Sequence, residues 1–154
     1  VLDSIQNPFN VVAPGKRPRV TLTPSLALKD GKPFLSFAVQ GGDTQDQNLL
    51  QFFLNMVEFG MTVQQATEAP NFNTNQLWLS LGGSTIADRK PKPGQIVVSR
   101  SLSPLIMDKL KAMGYFIRTE ERTSGPINAI LFDQKFGTMW GGSSNHGEDY
   151  GIGW

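Results

Sequence analysis

The chain has 154 residues, a formal net charge of +1 and 39% hydrophobic residues, which suits one domain with a buried core. The nearly balanced charge gives no reason to expect a nucleic acid or an anionic membrane as partner, and no apolar run is long enough to span a bilayer. Because there is no cysteine, these residues can form no disulfide, thiolate metal site or cysteine nucleophile.

The N-terminal residues 1–19 are polar and include Pro8, Pro14 and Pro18, which predicts an extended segment without regular structure. The chain starts at Val1 without an initiator methionine and without the basic and apolar pattern of a targeting segment. We therefore interpret it as a mature product, a fragment or one subunit of something longer, with residues 1–154 forming a single domain.

A β-hairpin is predicted after this segment. Two strand-like runs at 20–28 and 33–39 flank the dipeptide Asp30-Gly31, which is the strongest short signal for a tight hairpin turn.

A glycine pair, Gly41 and Gly42, separates the second predicted strand from a predicted helix. Glycines let the backbone turn tightly and leave its N–H groups uncovered, and Asp43 is a suitable cap for the helix. Free N–H groups at a helix N-terminus bind anions, including the oxyanion formed in acyl transfer. On local sequence alone, an ordinary turn is the commoner explanation.

The predicted helix at 45–59 is apolar on more than one side, which favours burial between layers. Gly60 is suited to end it. Thr62 and Gln65 then form a capping-box pattern that starts a second, short helix ending before Pro70.

The rest of the chain predicts a strand at 77–81, a basic, proline-rich loop at 88–94 and a helix from Ser103-Pro104 to Met113. Strands are predicted at 115–119, 127–132 and 138–140, and the glycines at 141–142 are assigned to a turn. The alternation of elements indicates an α+β fold with mainly antiparallel pairing. The side chains expected to face inward from the last helix are Leu105, Ile106, Leu110 and Met113.

No complete catalytic constellation is visible in the residues. His146 is the only histidine, and with Glu148 and Asp149 nearby it gives weak support for a metal site, so none is expected. Thr21, Thr23 and Ser25 alternate along the first predicted strand, so they share one face that could orient a substrate, although a solvent-facing strand side is commoner.

An ordered set of short motifs is similar to the gamma-glutamyltranspeptidase family, and more closely to its bacterial gamma-glutamyltransferase-like and cephalosporin-acylase-like branch. The motifs cover nearly the whole chain and together are specific. They lie at 14–18, 23–33, 41–42, 59–66, 110–114 and 141–143.

This resemblance implies an N-terminal-nucleophile hydrolase, an αββα sandwich made as a precursor that cleaves itself into a large and a small subunit. The new N-terminal threonine attacks a gamma-glutamyl amide, such as that of glutathione, with its own amino group as base. The acyl-enzyme then passes the glutamyl group to water or to an amine, and no cofactor takes part.

The chain resembles the C-terminal part of the small subunit. The threonine, the large subunit and the groups that bind the glutamyl α-amino and α-carboxylate groups would then lie elsewhere, and the chain alone would be inactive. The resemblance also implies a periplasmic or secreted location and, as partner, the remainder of the precursor. Because half of a sheet sandwich would expose a large apolar face, the chain is expected to pair with that partner or to self-associate.

Two site features follow from the resemblance. Gly41 and Gly42 match the pair whose N–H groups form the oxyanion hole, and Val20 and Thr21 match a serine pair that binds the substrate carboxylate. Thr21 keeps a hydroxyl group, whereas Val20 does not.

Residues 39–40 also differ from the family's Ser-Pro. An acylase for another amide, such as a glutaryl or cephalosporin side chain, and a non-catalytic homologue therefore remain open alternatives.

Overall fold

The computed structural model describes residues 11–18, 20–80, 85 and 87–146. Over residues 11–18, the described part of the predicted extended segment, the chain forms neither helix nor strand. The strands are β1 (Ser25–Lys29), β2 (Lys32–Val39), β3 (Phe72–Thr74), β4 (Gln95–Ser99), β5 (Phe116–Glu120), β6 (Ile127–Asp133) and β7 (Thr138–Ser143). The helices are α1 (Gln45–Val57), α2 (Val63–Glu68), α3 (Pro104–Ala112) and a short 3-10 helix (Ala87–Arg89).

The larger sheet has four antiparallel strands in the order β1-β2-β6-β7. Helices α1 and α2 cover one of its faces, so the described residues form one helix layer and one sheet layer of the αββα sandwich. This confirms the predicted α+β class. The core between these two layers consists of Leu35, Val39, Leu49, Phe52, Val63, Ala66, Ile127 and Ala129.

The opposite face of this sheet, which we call the outer sheet face, is apolar and open. Leu26 and Ile130 both lie opposite Ser36 and therefore share this face, and Met139 lies opposite Phe132 beside them. Leu26 and Met139 keep 61% and 69% of their surface exposed.

The predicted hairpin is confirmed. Asp30 and Gly31 adopt positive φ angles of 52° and 74°, as a two-residue type I′ turn requires, and Lys29 pairs with Lys32. The first strand begins only at Ser25, however, and residues 20–24 are not part of the sheet. Among them, the Thr23 side chain contacts Val39 and Gln45.

The smaller sheet has the order β3-β4-β5, with β3 antiparallel and β5 parallel to β4. Helix α3 makes the crossover that a parallel pair needs. Neither β3 nor β4 was predicted, although Ile96, Val97 and Val98 of β4 are buried.

The predicted strand at 77–81 is wrong over residues 77–80. There the Leu79 N–H donates to the Arg89 carbonyl at 3.0 Å, in a loop that is not part of a sheet. Leu81 lies outside the described residues.

Two glutamines of α1 satisfy the free edge of β3. The Gln47 carboxamide accepts from the Thr74 N–H at 2.7 Å and donates to the Thr74 carbonyl at 3.3 Å. One helical turn later, Gln51 accepts from the Phe72 N–H at 2.9 Å and donates to the Phe72 carbonyl at 2.8 Å. Each carboxamide therefore replaces the peptide group of a neighbouring strand.

At the Ser143 end of β7, a side chain of α2 satisfies the strand edge in the same way. The Gln64 carboxamide accepts from the Ser143 N–H at 3.1 Å and donates to the Ser143 carbonyl at 2.8 Å. Strand β7 extends through Gly141 and Gly142, so the turn predicted there is wrong. Gly142 allows the close approach to α2, because a Cβ at this position would lie 2.5 Å from Val63 Cγ1.

The capping box of α2 is confirmed, since Thr62 and Gln65 exchange both of its hydrogen bonds. Helix α1 is buried on one side only: Phe52 is 1% exposed, whereas Leu50 is 59% exposed. The predicted burial of α1 between layers therefore fails at Leu50, and the contacts of α1 with β3 are made by polar side chains.

Helix α3 begins at Pro104 as predicted but has no buried residue. The helix covers only a three-stranded sheet, and an apolar groove of about 490 Å³ remains between the two. Ile106, Leu110 and Met113 line this groove opposite β4, which confirms their predicted inward position. Leu105 does not line it and is exposed, so the prediction is wrong for Leu105. No helix in the described ranges combines the length and apolarity needed to cross a bilayer.

Candidate functional site

The candidate site surrounds the glycine turn, residues 40–43, which connects β2 to α1. Across the described structure, the N–H groups of Gly41 and Gly42 donate to no protein acceptor. The Gly42 carbonyl accepts from the Gln45 N–H at 3.1 Å. The turn thus combines two available N–H donors with the N-terminus of a thirteen-residue helix.

The loop at 121–126 supports the glycine turn from its N-terminal side. The Gln40 N–H donates to the Pro126 carbonyl at 3.0 Å. Gly125 packs directly against the Gln40 carbonyl, because any Cβ at position 125 would overlap that oxygen. The position of Gln40 therefore depends on a loop more than eighty residues away in sequence.

A buried polar network connects the same loop to α1. The Thr123 hydroxyl donates to the side-chain oxygen of Asn71, and the Asn71 amide donates to Asn48 Oδ1 on α1 at 3.2 Å. Asn73 of β3 donates to the Thr123 carbonyl. The loop, β3 and α1 are consequently held together behind the turn.

Asp43 does not cap α1, contrary to the prediction. The N-cap is Thr44, and its side chain makes no capping bond. The Asp43 carboxylate instead accepts from the Ser80 N–H at 2.7 Å and from the Ser80 hydroxyl. The sequence offers no signal for this pair, because the two residues lie 37 positions apart.

A groove of about 610 Å³ opens beside the glycine turn. It brings together two of the four predicted site residues, Thr21 and Gly41. Val20 and Gly42 are not among the residues that line it, although each is adjacent in sequence to one that does. Val20 is exposed.

Gln45 is a site residue that the sequence analysis missed. Its side chain is buried in the groove wall and donates to the Val39 carbonyl at 2.9 Å and to the Thr23 hydroxyl at 3.3 Å. Gln45 thereby attaches the segment carrying Thr21 to the end of β2. The Thr23 hydroxyl is used in this structural contact, while the Thr21 side chain remains exposed.

His146 lies apart from the glycine turn, at a polar cavity of about 430 Å³ that also includes Arg122 and Glu121. Its N–H donates to the Ser144 carbonyl at 2.8 Å. Glu148 and Asp149 lie outside the described residues. In the part of the chain that the structure describes, no three acidic or histidine side chains are grouped so that they could hold a metal ion.

Comparison with known proteins identifies relatives along nearly the whole chain. The family model for gamma-glutamyltranspeptidase matches residues 2–154. A glutathione hydrolase proenzyme of Bacillus subtilis (strain 168) is 32% identical over 152 residues, which are 97% of this chain and 23% of that protein. An acylase ACY 1 proenzyme of Pseudomonas sp. (strain SE83) is 26% identical over 84% of this chain and 20% of that protein.

A solved structure agrees with these sequence matches. An acivicin-inhibited gamma-glutamyltranspeptidase superimposes with a TM-score of 0.69 and 25% identity, over 91% of this chain and 68% of that chain. The present chain spans about a fifth to a quarter of the length of these curated relatives. The family match over residues 2–154, together with this superposition, shows that the chain belongs to the gamma-glutamyltranspeptidase family.

Proposed function

We propose that these residues provide the oxyanion hole of an enzyme that cleaves gamma-glutamyl amides and transfers the glutamyl group to water or an amine. The observation that carries this proposal is the pair of N–H groups at Gly41 and Gly42, which have no protein acceptor in the described structure and lie beside an open groove. The name of the B. subtilis relative, a glutathione hydrolase, supports the same reaction.

In this proposal a threonine from another part of the protein attacks the amide carbonyl, and negative charge develops on its oxygen. The two glycine N–H groups donate to that oxygen, and the positive end of the α1 dipole adds to the stabilisation. Because the donors are fixed before the charge appears, little reorganisation is needed in the transition state.

Thr21 is the proposed contact for the substrate carboxylate. Its exposed hydroxyl group lines the same groove as Gly41, so one ligand could contact both residues. Val20, the other member of the matched pair, can offer only apolar contact, and this difference bears on which acyl group is accepted.

The test uses the longer protein that contains this chain, assayed with a gamma-glutamyl anilide. Gly42→Pro removes one N–H donor, and losing such a donor costs about 100- to 1,000-fold in kcat. Gly42→Ala is the matched control, because it keeps the N–H and Gly42 does not have a positive φ. Normal turnover by Gly42→Pro would contradict the proposal.

A second candidate function is hydrolysis of a different amide, such as a glutaryl side chain. The substitution of valine for a hydroxyl residue at position 20 and the similarity to an acylase proenzyme favour it. Comparing gamma-glutamyl and glutaryl anilides distinguishes the two functions. Equal turnover would mean that the enzyme does not recognise the α-amino group of the substrate.

We also propose that the remainder of a precursor is the partner of this chain, consistent with relatives that are proenzymes several times its length. The apolar outer sheet face and the exposed side chains of α3 are the surfaces available to it. A periplasmic or secreted location is proposed from the family alone, and fractionation of cells producing the whole protein would test it.

A further inference from the structure

We propose that Asp43 is a positioning residue, and that its carboxylate holds the glycine turn in place by binding Ser80. This inference rests on the proposed function, since it assigns a purpose to the turn as an oxyanion hole. The carboxylate accepts both the N–H and the hydroxyl of Ser80, so one side chain satisfies two donors of a remote segment.

Three contacts fix the glycine turn at three successive points. Gln40 is bound by the Pro126 carbonyl before the glycines, and the Gly42 carbonyl is bound by the Gln45 N–H after them. Asp43 adds the third contact immediately after Gly42. Because hydrogen bonds to a carboxylate are charge-assisted, this contact is expected to be stronger than the two neutral ones.

The Ser80 bonds also decide where the Asp43 charge lies. An aspartate at the start of a helix normally turns its carboxylate onto the first backbone N–H groups. Such a position would place a second negative charge at the N-terminus of α1, beside the charge that develops on an oxyanion. Binding to Ser80 directs the Asp43 oxygens elsewhere, and α1 accordingly starts without a side-chain cap.

Ser80 can serve as an anchor because its segment is tied to the residues that lead into β4. The Lys92 N–H donates to the Asn75 carbonyl at 2.8 Å, and the Gly94 N–H donates to the Gln76 side chain at 3.1 Å. With the Leu79 contact to the 3-10 helix, these bonds attach residues 75–80 to the smaller sheet. The Asp43 contact therefore connects the glycine turn to the smaller sheet.

The experiment compares Asp43→Ala, Asp43→Asn and Ser80→Ala in the longer protein, after its processing has been checked on a gel. Asp43→Asn is the conservative variant, because its carboxamide can accept from the Ser80 N–H and donate to the Ser80 hydroxyl. Asp46→Ala is the matched control, since Asp46 is an exposed carboxylate in the first turn of α1. Two quantities are measured: anilide kinetics, and hydrogen exchange of the backbone amides at 77–80.

We expect Asp43→Ala and Ser80→Ala to lower kcat on the order of 10-fold with little change in KM, because misplaced donors weaken only the transition state. Exchange at the Ser80 amide should accelerate in Asp43→Ala, while Asp43→Asn and Asp46→Ala should resemble the unchanged protein. Unchanged kcat in Asp43→Ala, or a raised KM with normal kcat, would overturn this inference alone. No turnover of any amide by the unchanged protein would overturn the proposed function as well.

Discussion

Two glycines in this molecule are required by close contact and not by backbone conformation. Gly125 lies against the Gln40 carbonyl, and Gly142 lies against the first turn of α2. Neither has a positive φ angle, so an alanine would be tolerated by the backbone but not by the neighbouring atoms. Gly125 allows the loop at 121–126 to lie against the glycine turn, and Gly142 allows β7 to lie against α2, which covers the core.

Replacing Gly142 with alanine should destabilise the protein by about 1–3 kcal/mol, the usual cost of overpacking a close contact. The added methyl group would meet both the side chain and the backbone of Val63. Gly141→Ala is the matched control, because a Cβ at Gly141 meets nothing within 4 Å. Denaturant unfolding of the two variants measures the difference, and equal stabilities would contradict the packing described here.

At the scale of elements, α1 connects several parts of the fold through its polar side chains. Gln45 binds the segment before β1, Asn48 binds the network behind the turn, and Gln47 and Gln51 bind β3. The apolar face of the helix only fixes it to the larger sheet. Its amide side chains determine how the smaller sheet lies beside the site.

Changing Gln51 tests this arrangement. Gln51→Met removes both bonds to Phe72 without adding charge, and Gln51→Glu keeps the acceptor but places a carboxylate against the Phe72 carbonyl. Both hydrogen bonds to Phe72 are solvent-exposed, so each one that is lost costs about 0.5–1.5 kcal/mol. Hydrogen exchange at 72–74 together with unfolding would measure the loss, and full protection in both variants would exclude a role for the carboxamide.

The elements that were predicted correctly have strong local signals. The Asp30-Gly31 turn, the Thr62 and Gln65 capping box and the start of α3 at Pro104 each depend on residues a few positions apart. Strand β3 has no such signal, because it is short, polar and completed by side chains from a helix more than twenty residues earlier.

The same distinction explains what could be predicted of the candidate site. The place of Gly41 and Gly42 between a strand and a helix follows from local pattern. The contacts of Gln45 with Thr23 and of Asp43 with Ser80 do not, since they join segments 22 and 37 positions apart. Residues 20–24 were wrongly predicted as strand because no nearby residue indicates the contact between Thr23 and Gln45.

At the scale of the whole molecule, the described residues leave the outer sheet face uncovered. Leu26, Ile130 and Met139 are exposed on this face, and Leu105 and Met113 are exposed on α3. Surfaces of this kind are typical of an interface. They agree with a chain that spans only a fifth to a quarter of the length of its curated relatives.

The 154-residue chain produced alone should therefore self-associate or bind an apolar dye strongly, while the longer protein should do neither to the same extent. Light scattering and dye fluorescence measure these properties. Introducing threonine at both Leu26 and Ile130 should reduce dye binding, since both positions lie on the outer sheet face. A compact monomer with little dye binding would count against the assigned sandwich.

The carboxamides on the sheet edges have a consequence for aggregation. An exposed strand edge is a template for strands of other molecules, and proteins commonly block such edges. Gln47 and Gln51 occupy the edge of β3, and Gln64 occupies Ser143 on the edge of β7. The smaller sheet can then be lengthened only along β5, whereas the larger sheet is blocked at the Ser143 end of β7. These three side chains thus block one edge of the smaller sheet and one end of the β7 edge, which would hinder the addition of strands from other molecules at those places.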